Sequence, residues 1–481
     1  MELALVASSV LLAAACDPGA RDTSTPRDGG GTEGLATTTT PGQLEDAGAE
    51  ILPVAQRFAS SIGPALDIGA VAMLAAHGDE RWAWLLADGL RFYVSDSPEA
   101  ESLTAAIEDL AGITVDRTSP WVDATNRLIS LDIAAPPGYG ELKSRLFAAI
   151  DERWAPLFAG GEVAMDLRYV SWGGVFIDDR ELGDSSPCLR GCIPALDLPE
   201  VTDAAGGSWY PDDRIVFGVV VDGNARAYPK NLMETHEMVN DVLADRRIAV
   251  PYCTLCGSAQ AYFTDRVDGQ EEPLVIRTSG LLHRSNKIMY DLATGSMIDT
   301  FTGQAVSGPL LDGDVGLEEI TVEVSRWGDW KAAHPDSTIV AADGGVGRTY
   351  ADDPLGGRDD DGPIFPVGDV DARLPVQEPV LGVEAPDGTT LAFPAGAARL
   401  ALAAGEDVIV GEVRVVTDGG GLRAETTDGR DLVSHESLWF AWSQFNPDTL
   451  VWGVDALAAG QVGRPVEPAG PADERRPVRG S

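Results

Sequence analysis

The chain has 481 residues, 44% of them apolar, enough for two to four domains at roughly 100–200 residues each. Its 35 Lys+Arg stand against 76 Asp+Glu, a formal net charge of −41. A nucleic-acid binder must neutralise phosphates, so this balance argues strongly against that class, and it disfavours attraction to anionic lipid by charge.

Residues 3–15 form an apolar run of signal-peptide length, too short to span a bilayer. Small residues then lead to Cys16 in the manner of a bacterial lipobox, whose cysteine becomes the lipidated first residue of the mature chain. Leu12 stands one place from the usual large apolar position, and Glu2 occupies a region that is normally basic. The expectation is a lipoprotein-type signal peptide over 1–16, with a plain secretory signal as the alternative. It places the protein in the cell envelope, facing the periplasm or exterior and held to the membrane by a lipid anchor only. Residues 17–48, rich in Asp, Thr, Gly and Pro, are expected to be a disordered tether.

Residues 49–175 read as helical. Ser97-Pro98-Glu99 combines an N-cap hydroxyl, a first-turn proline and an acid at the positive dipole end, and Leu103, Ile107 and Leu110 follow on one face. Leu142, Leu146, Ile150 and Trp154 recur at steps of four, and Trp82, Trp84, Leu85, Leu86 and Leu90 form another dense apolar segment. Such stripes mark core rather than a cofactor box.

Beyond residue 175 the texture changes to short apolar runs between Gly, Asp and Pro turns. Ile215–Val221, Asp222-Gly223 and Ala225–Tyr228 read as a β-hairpin. Two patterns recur. Val216-Phe-Gly218 through Ala227-Tyr228-Pro229 is similar to Val380-Leu-Gly382 through Ala392-Phe393-Pro394. Trp327-x-x-Trp330 with His334-Pro335-Asp336 is similar to Trp439-x-x-Trp442 with Asn446-Pro447-Asp448. The expected fold class is therefore α+β, a helical N-terminal region followed by two related β-rich lobes. These cover 176–345 and a degenerate 346–460, with a C-terminal tail over 461–481. His334 reads as a structural member of the repeated motif.

Cys16 aside, four cysteines remain, as Cys188/Cys192 and Cys253/Cys256. An exported chain permits disulfides, and two close pairs also permit a metal site. In Tyr252-Cys253-Thr254-Leu255-Cys256-Gly257, the glycine follows the second cysteine at once, and Ala259–Thr264 looks extended. A thioredoxin-type thiol needs a helix N-terminus at this point, so that fold is disfavoured. A redox dithiol, half of a metal site and a structural disulfide all stay open. Closed zinc sites usually take four ligands. The missing ones could come from Cys188 and Cys192, or from His236, with His283 a weaker candidate and zinc or copper the metal. His236 could instead tune the thiols as a base, sharing a helical face with Asn240, or be hydrogen-bonded in the core. Cys188/Cys192 could equally be a local staple.

Taken together, several motifs resemble the bacterial domain of unknown function numbered 3179. They are Asp222-Gly through Ala227-Tyr-Pro229, His236-Glu-x-x-Asn240-Asp241, Tyr252-Cys-x-x-Cys256-Gly, Ser279-Gly-Leu-Leu, Met289-Tyr-Asp291 and Trp330-x-x-x-His334-Pro335. The likeness extends over nearly all of 80–453. It implies an exported or lipid-anchored protein with no settled activity. Members labelled as candidate selenoproteins imply redox chemistry at a chalcogen. Thr254 stands where the family motif has proline. The reading is an envelope protein with a thiol redox or transition-metal centre at Cys253, Cys256 and His236, a candidate thiol-dependent oxidoreductase. Its partner would be an unidentified small molecule or envelope protein. The alternative is a non-catalytic binding or scaffold protein with stapled cysteines.

Overall fold

A computed structural model describes residues 41–455 apart from 64, 159–162, 358–361 and 419, with side chains from residue 50 onward. The signal peptide, most of the expected tether and the 461–481 tail lie outside the described residues. Helix Pro41–Ser60 begins inside the stretch expected as tether. Its inner face carries Ile51, Val54, Ala55, Phe58 and Ala59, buried at helical spacing, so packing rather than intrinsic propensity accounts for this helix.

The next helices run Ile68–His77, Ala83–Leu90, Pro98–Ala111, Pro120–Ser130 and Tyr139–Ile150. Ser97 caps its helix as expected, its Oγ accepting from the Ala100 N–H at 3.1 Å. Trp82, Trp84, Leu86, Leu103, Ile107, Leu146 and Trp154 share one core. That core also takes in Val170, Leu281, Ile288, Tyr290 and Met297, so the helices pack onto a sheet. The sheet is ordered Val170–Trp172, Ile276–His283, Asn286–Asp291, Met297–Asp299. The end of the expected helical region is thus its edge strand, pairing antiparallel with Ile276–His283. No helix among the described residues is long and apolar enough to cross a membrane.

The hairpin forms where expected, with Ile215–Val221 and Asn224–Pro229 joined through Asp222 at φ 48° and Gly223 at φ 77°. Both turn residues are left-handed, the conformation that makes Asp-Gly a hairpin signal. Val322–Arg326 pairs antiparallel with the first hairpin strand, and Thr338–Val340 pairs parallel with the second. The same order and directions recur downstream. Pro379–Glu384 and Thr390–Pro394 form the hairpin, Ser434–Leu438 pairs antiparallel with the first strand, and Leu450–Val451 pairs parallel with the second. A helix follows each hairpin, Lys230–His236 and Ala395–Ala403. Another, carrying Trp-x-x-Trp, follows each third strand, Trp327–Ala333 and Trp439–Phe445. A further sheet holds Met238–Leu243 and Arg246–Cys253, and it positions the cysteines.

Candidate functional site

Strand Arg246–Cys253 turns back through the Cys-x-x-Cys loop into Ser258–Ala259, with Cys253 opposite Ser258. Strand Ala261–Phe263 follows, so the extended reading holds and no helix begins directly after Cys256. Gly257 sits at φ +57°, and a Cβ there would meet Leu438 at 3.0 Å. The Leu438 N–H donates to the Cys256 carbonyl at 2.8 Å. The second repeat therefore lies directly on the cysteine loop.

Cys253 and Cys256 are 1% and 0% exposed and are not bonded to each other. Both thiols point at one acceptor, the Ser285 carbonyl, 3.4 Å from the Cys256 Sγ and 3.8 Å from the Cys253 Sγ. That carbonyl is presented by the tight turn between Ile276–His283 and Asn286–Asp291. Arg284 and Ser285 both take positive φ there, 51° and 67°, where Asn-Gly would fit more easily. The Arg284 guanidinium lies over the Tyr169 ring, 3.8 Å from its centroid, and the Arg284 N–H donates to the Tyr169 carbonyl at 3.1 Å. These contacts hold a strained turn beside the sulfurs.

A buried cation completes the near surroundings. The Lys287 Nζ donates to the carbonyls of Glu237 and Tyr252 at 2.7 and 3.0 Å and pairs with the Glu237 carboxylate at 2.7 Å. The Thr254 hydroxyl donates to the same carboxylate at 3.1 Å. Burial pushes the Cys253 thiol up, but hydrogen bonding from Cys256 and the Lys287 ammonium outweigh it. The net effect holds Cys253 below the usual thiol value.

Around the loop lie two carboxylate–histidine pairs. The His283 Nδ1 sits 2.8 Å from the Asp299 carboxylate, and the His435 Nδ1 sits 3.0 Å from that of Glu319. In each, Nε2 is buried without a protein partner. Each carboxylate orients its imidazole through Nδ1 and leaves Nε2 facing the interior, an arrangement shared with bases and metal ligands. Aromatic rings link the pairs. Phe301 is 5.2 Å from His435 and 4.4 Å from Phe445, which is 5.6 Å from His283. Phe301 and Phe445 pack in the same cluster as both cysteines. Ser258, Gln260, Ser285, Asn286, Thr300 and Ser437 add buried side-chain atoms that find no protein partner. Native interiors leave few such atoms, so this polar layer calls for a partner beyond the protein's own groups, water included.

The residues singled out from sequence divide clearly. His236 ends its helix and turns away from Asn240, which lies on strand Met238–Leu243. Its Nδ1 donates to the Pro194 carbonyl at 2.7 Å, and its Nε2 accepts from the Tyr350 hydroxyl at 2.7 Å. Both nitrogens are thus committed, which corrects the expectation of a free ligand or base. Burial pushes its pKa down to about 4, with the Pro194 bond opposing and Arg348 and Arg180 adding to the drop. Asp241 pairs with Arg226 at 2.7 Å and accepts from Tyr228 at 2.8 Å.

Cys188 and Cys192 are disulfide-bonded to each other, with Cα atoms 5.3 Å apart. The local-staple reading holds, and their sulfurs are not ligands joined to Cys253 and Cys256. Among the described residues, two sets of three possible ligand atoms converge: Asp178/Cys188/Cys192 and Glu323/His334/Asp418. Neither contains Cys253 or Cys256, so no ready four-ligand zinc cage surrounds the dithiol. Sequence reading missed Lys287, Glu237, Asp299 and His435 as neighbours of the site. Ser285 and Asn286 were within reach, since they follow His283 directly at a turn.

The arrangement defines an α+β protein with a buried dithiol in a polar interior, covered by the second of two like sheets. The chain belongs to the family described as a protein of unknown function, DUF3179, whose model matches residues 190–449. The match spans the cysteine loop, the first repeated sheet, all but the last strand of the second, and His283, but not the helical region. No curated protein and no solved structure matches the chain.

Proposed function

We propose that Cys253 and Cys256 form a thiol redox centre that cycles between dithiol and disulfide. The observation that carries this reading is the shared Ser285 carbonyl, which draws both thiols together beside Lys287. Cys253, held below the usual thiol value, is the attacking sulfur. Its thiolate opens a small disulfide, forming a mixed disulfide and releasing one thiol. Cys256 then attacks the Cys253 sulfur, closing the protein disulfide and releasing the second thiol. Full burial of both sulfurs favours a small-molecule oxidant over a folded protein partner.

A second reading has one supporting observation. The unpartnered Nε2 atoms of His283 and His435 lie in the polar layer around the two cysteines, and imidazole with thiolate is the donor type that copper or zinc takes, although side chains would have to move to bring these atoms together. Cys253→Ser separates the readings. For a redox pair it abolishes exchange with a small dithiol and leaves melting nearly unchanged. For a metal site it lowers the melting temperature, and chelator mimics it in the parent. Loss of stability without either signature leaves a binding or scaffold protein with buried structural thiols.

We infer that the protein is exported and lipid-anchored at Cys16, on the apolar run 3–15 and the small residues before that cysteine. A disulfide at Cys188–Cys192 suits an oxidising compartment. Cys16→Ala in the full chain should move the protein from the membrane to the soluble fraction. Unchanged membrane association would overturn the anchor.

A further inference from the structure

The internal repeat leads to a second site, away from the thiols. Opposite each repeated glycine the sheets carry different residues, Glu323 facing Gly218 and His435 facing Gly382. Glu323 is 5% exposed, and its Oε2 is buried with no donor bonded to it, the Asp418 carboxyl standing beside it instead. A buried carboxylate oxygen left so is costly unless something binds it. Two further groups converge there. His334 stands at the end of helix Trp327–Ala333, Asp418 comes from the second repeat, and one ligand atom from each of the three lies within 4.8 Å of the others. The His334 Nε2 is likewise buried and unpartnered. The His334 ring is held against Trp330, with centroids 4.1 Å apart. Gly421 makes the approach possible, since a Cβ there would come within 2.8 Å of the Glu323 Cβ and Oε2. A nearby cation is Arg423, whose Nε is 3.4 Å from the Asp418 Oδ2.

We propose that Glu323, His334 and Asp418 bind a first-row divalent cation through one imidazole nitrogen and two carboxylate oxygens. Such ligands hold zinc at about 2.0–2.2 Å, and only a small contraction of the three side chains is needed. The mixture of imidazole and carboxylate selects zinc or manganese over a soft thiophilic ion. Asp418, whose side chain is 43% exposed, gives the ion an entry path, and open positions remain for water. The ion clips the Asp418 loop of the second repeat onto the strand and helix end of the first. In the second repeat Asn446 replaces the histidine and His435 the glutamate, so the site has no twin there.

The test uses the full chain carrying Cys16→Ala, Cys253→Ser and Cys256→Ser, so that no free thiolate competes. Co²⁺ and Zn²⁺ alone are titrated, following the cobalt visible spectrum, stoichiometry and melting temperature. The expected result is one Co²⁺ per chain, with weak d–d absorption lacking a sulfur charge-transfer band, and a melting temperature raised by Zn²⁺. Glu323→Gln, and separately the half-exposed Asp418→Asn, should each weaken binding at least about 10-fold while the chain still folds. No binding by the folded chain, or binding unchanged in both variants, overturns the proposal. It leaves Glu323 and Asp418 as a carboxyl pair sharing a proton. If the cysteine variant does not fold, the same titration on the parent with its thiols alkylated decides between the same outcomes.

Discussion

The ring of Trp330 fills the space where a side chain at Gly218 would stand. The same contact recurs between Trp442 and Gly382. Each indole N–H then donates to a hydroxyl seven residues on, Ser337 at 2.8 Å and Thr449 at 3.0 Å. A glycine, a tryptophan and a hydroxyl residue thus form one packing device, used twice to lock a helix onto the middle of a sheet.

Gly218→Ala should therefore destabilise the protein. A methyl group cannot fit beneath an indole that is 0% exposed and hydrogen-bonded, so strand or helix must shift. Overpacking of this kind costs about 1–3 kcal/mol. Urea unfolding of the parent, Gly218→Ala and Gly382→Ala should give losses of similar size. A neutral result at either position would show that the indole moves freely.

The Cys253 thiol should react with a small alkylating reagent at lower pH than an ordinary thiol. Cys256 and Lys287 favour its thiolate, so half-maximal rate should fall below the usual value of about 8.5. Lys287→Met removes the ammonium and should move the half-point upward. An unshifted profile in that variant would remove Lys287 from the account of the site.

His236 should make stability fall with acid. Its folded-state pKa is depressed to about 4, while an unfolded histidine titrates near 6.5. Above 6.5 both states are neutral and the contribution is complete. As pH falls toward 4 the unfolded chain binds a proton that the folded chain refuses, and stability declines by up to about 1.4 kcal/mol per pH unit. His236→Gln should flatten this part of the pH–stability curve. Equal slopes would show that the imidazole is not the titrating group.

Removing the Cys188–Cys192 disulfide should matter little. It closes a loop of only five residues, worth about 2 kcal/mol at most by loop entropy. Cys188→Ser with Cys192→Ser should leave alkylation at Cys253 unchanged, because the two pairs share no ligand set. A changed alkylation rate would show that the staple supports the dithiol.

Hydrophobic period and turn chemistry are local properties, so the division into helices and short strands is legible in the chain alone. Ser97 caps, Asp222-Gly223 turns a hairpin, and Gly257 after Cys256 forbids a helix, each for reasons contained within a few residues. The repeat is equally legible, since the glycine and the tryptophan are required by one packing contact wherever it is used. Which groups meet is a different matter. His236 has the local look of a ligand, but Pro194 and Tyr350, far from it in the chain, occupy both its nitrogens. His435 has no local pattern at all, yet it reaches Glu319 and Phe301 because the second sheet lies against the cysteine loop. Hydrogen-bond partners of a buried side chain come from sheet register and packing across the whole chain, and no short window of sequence contains them.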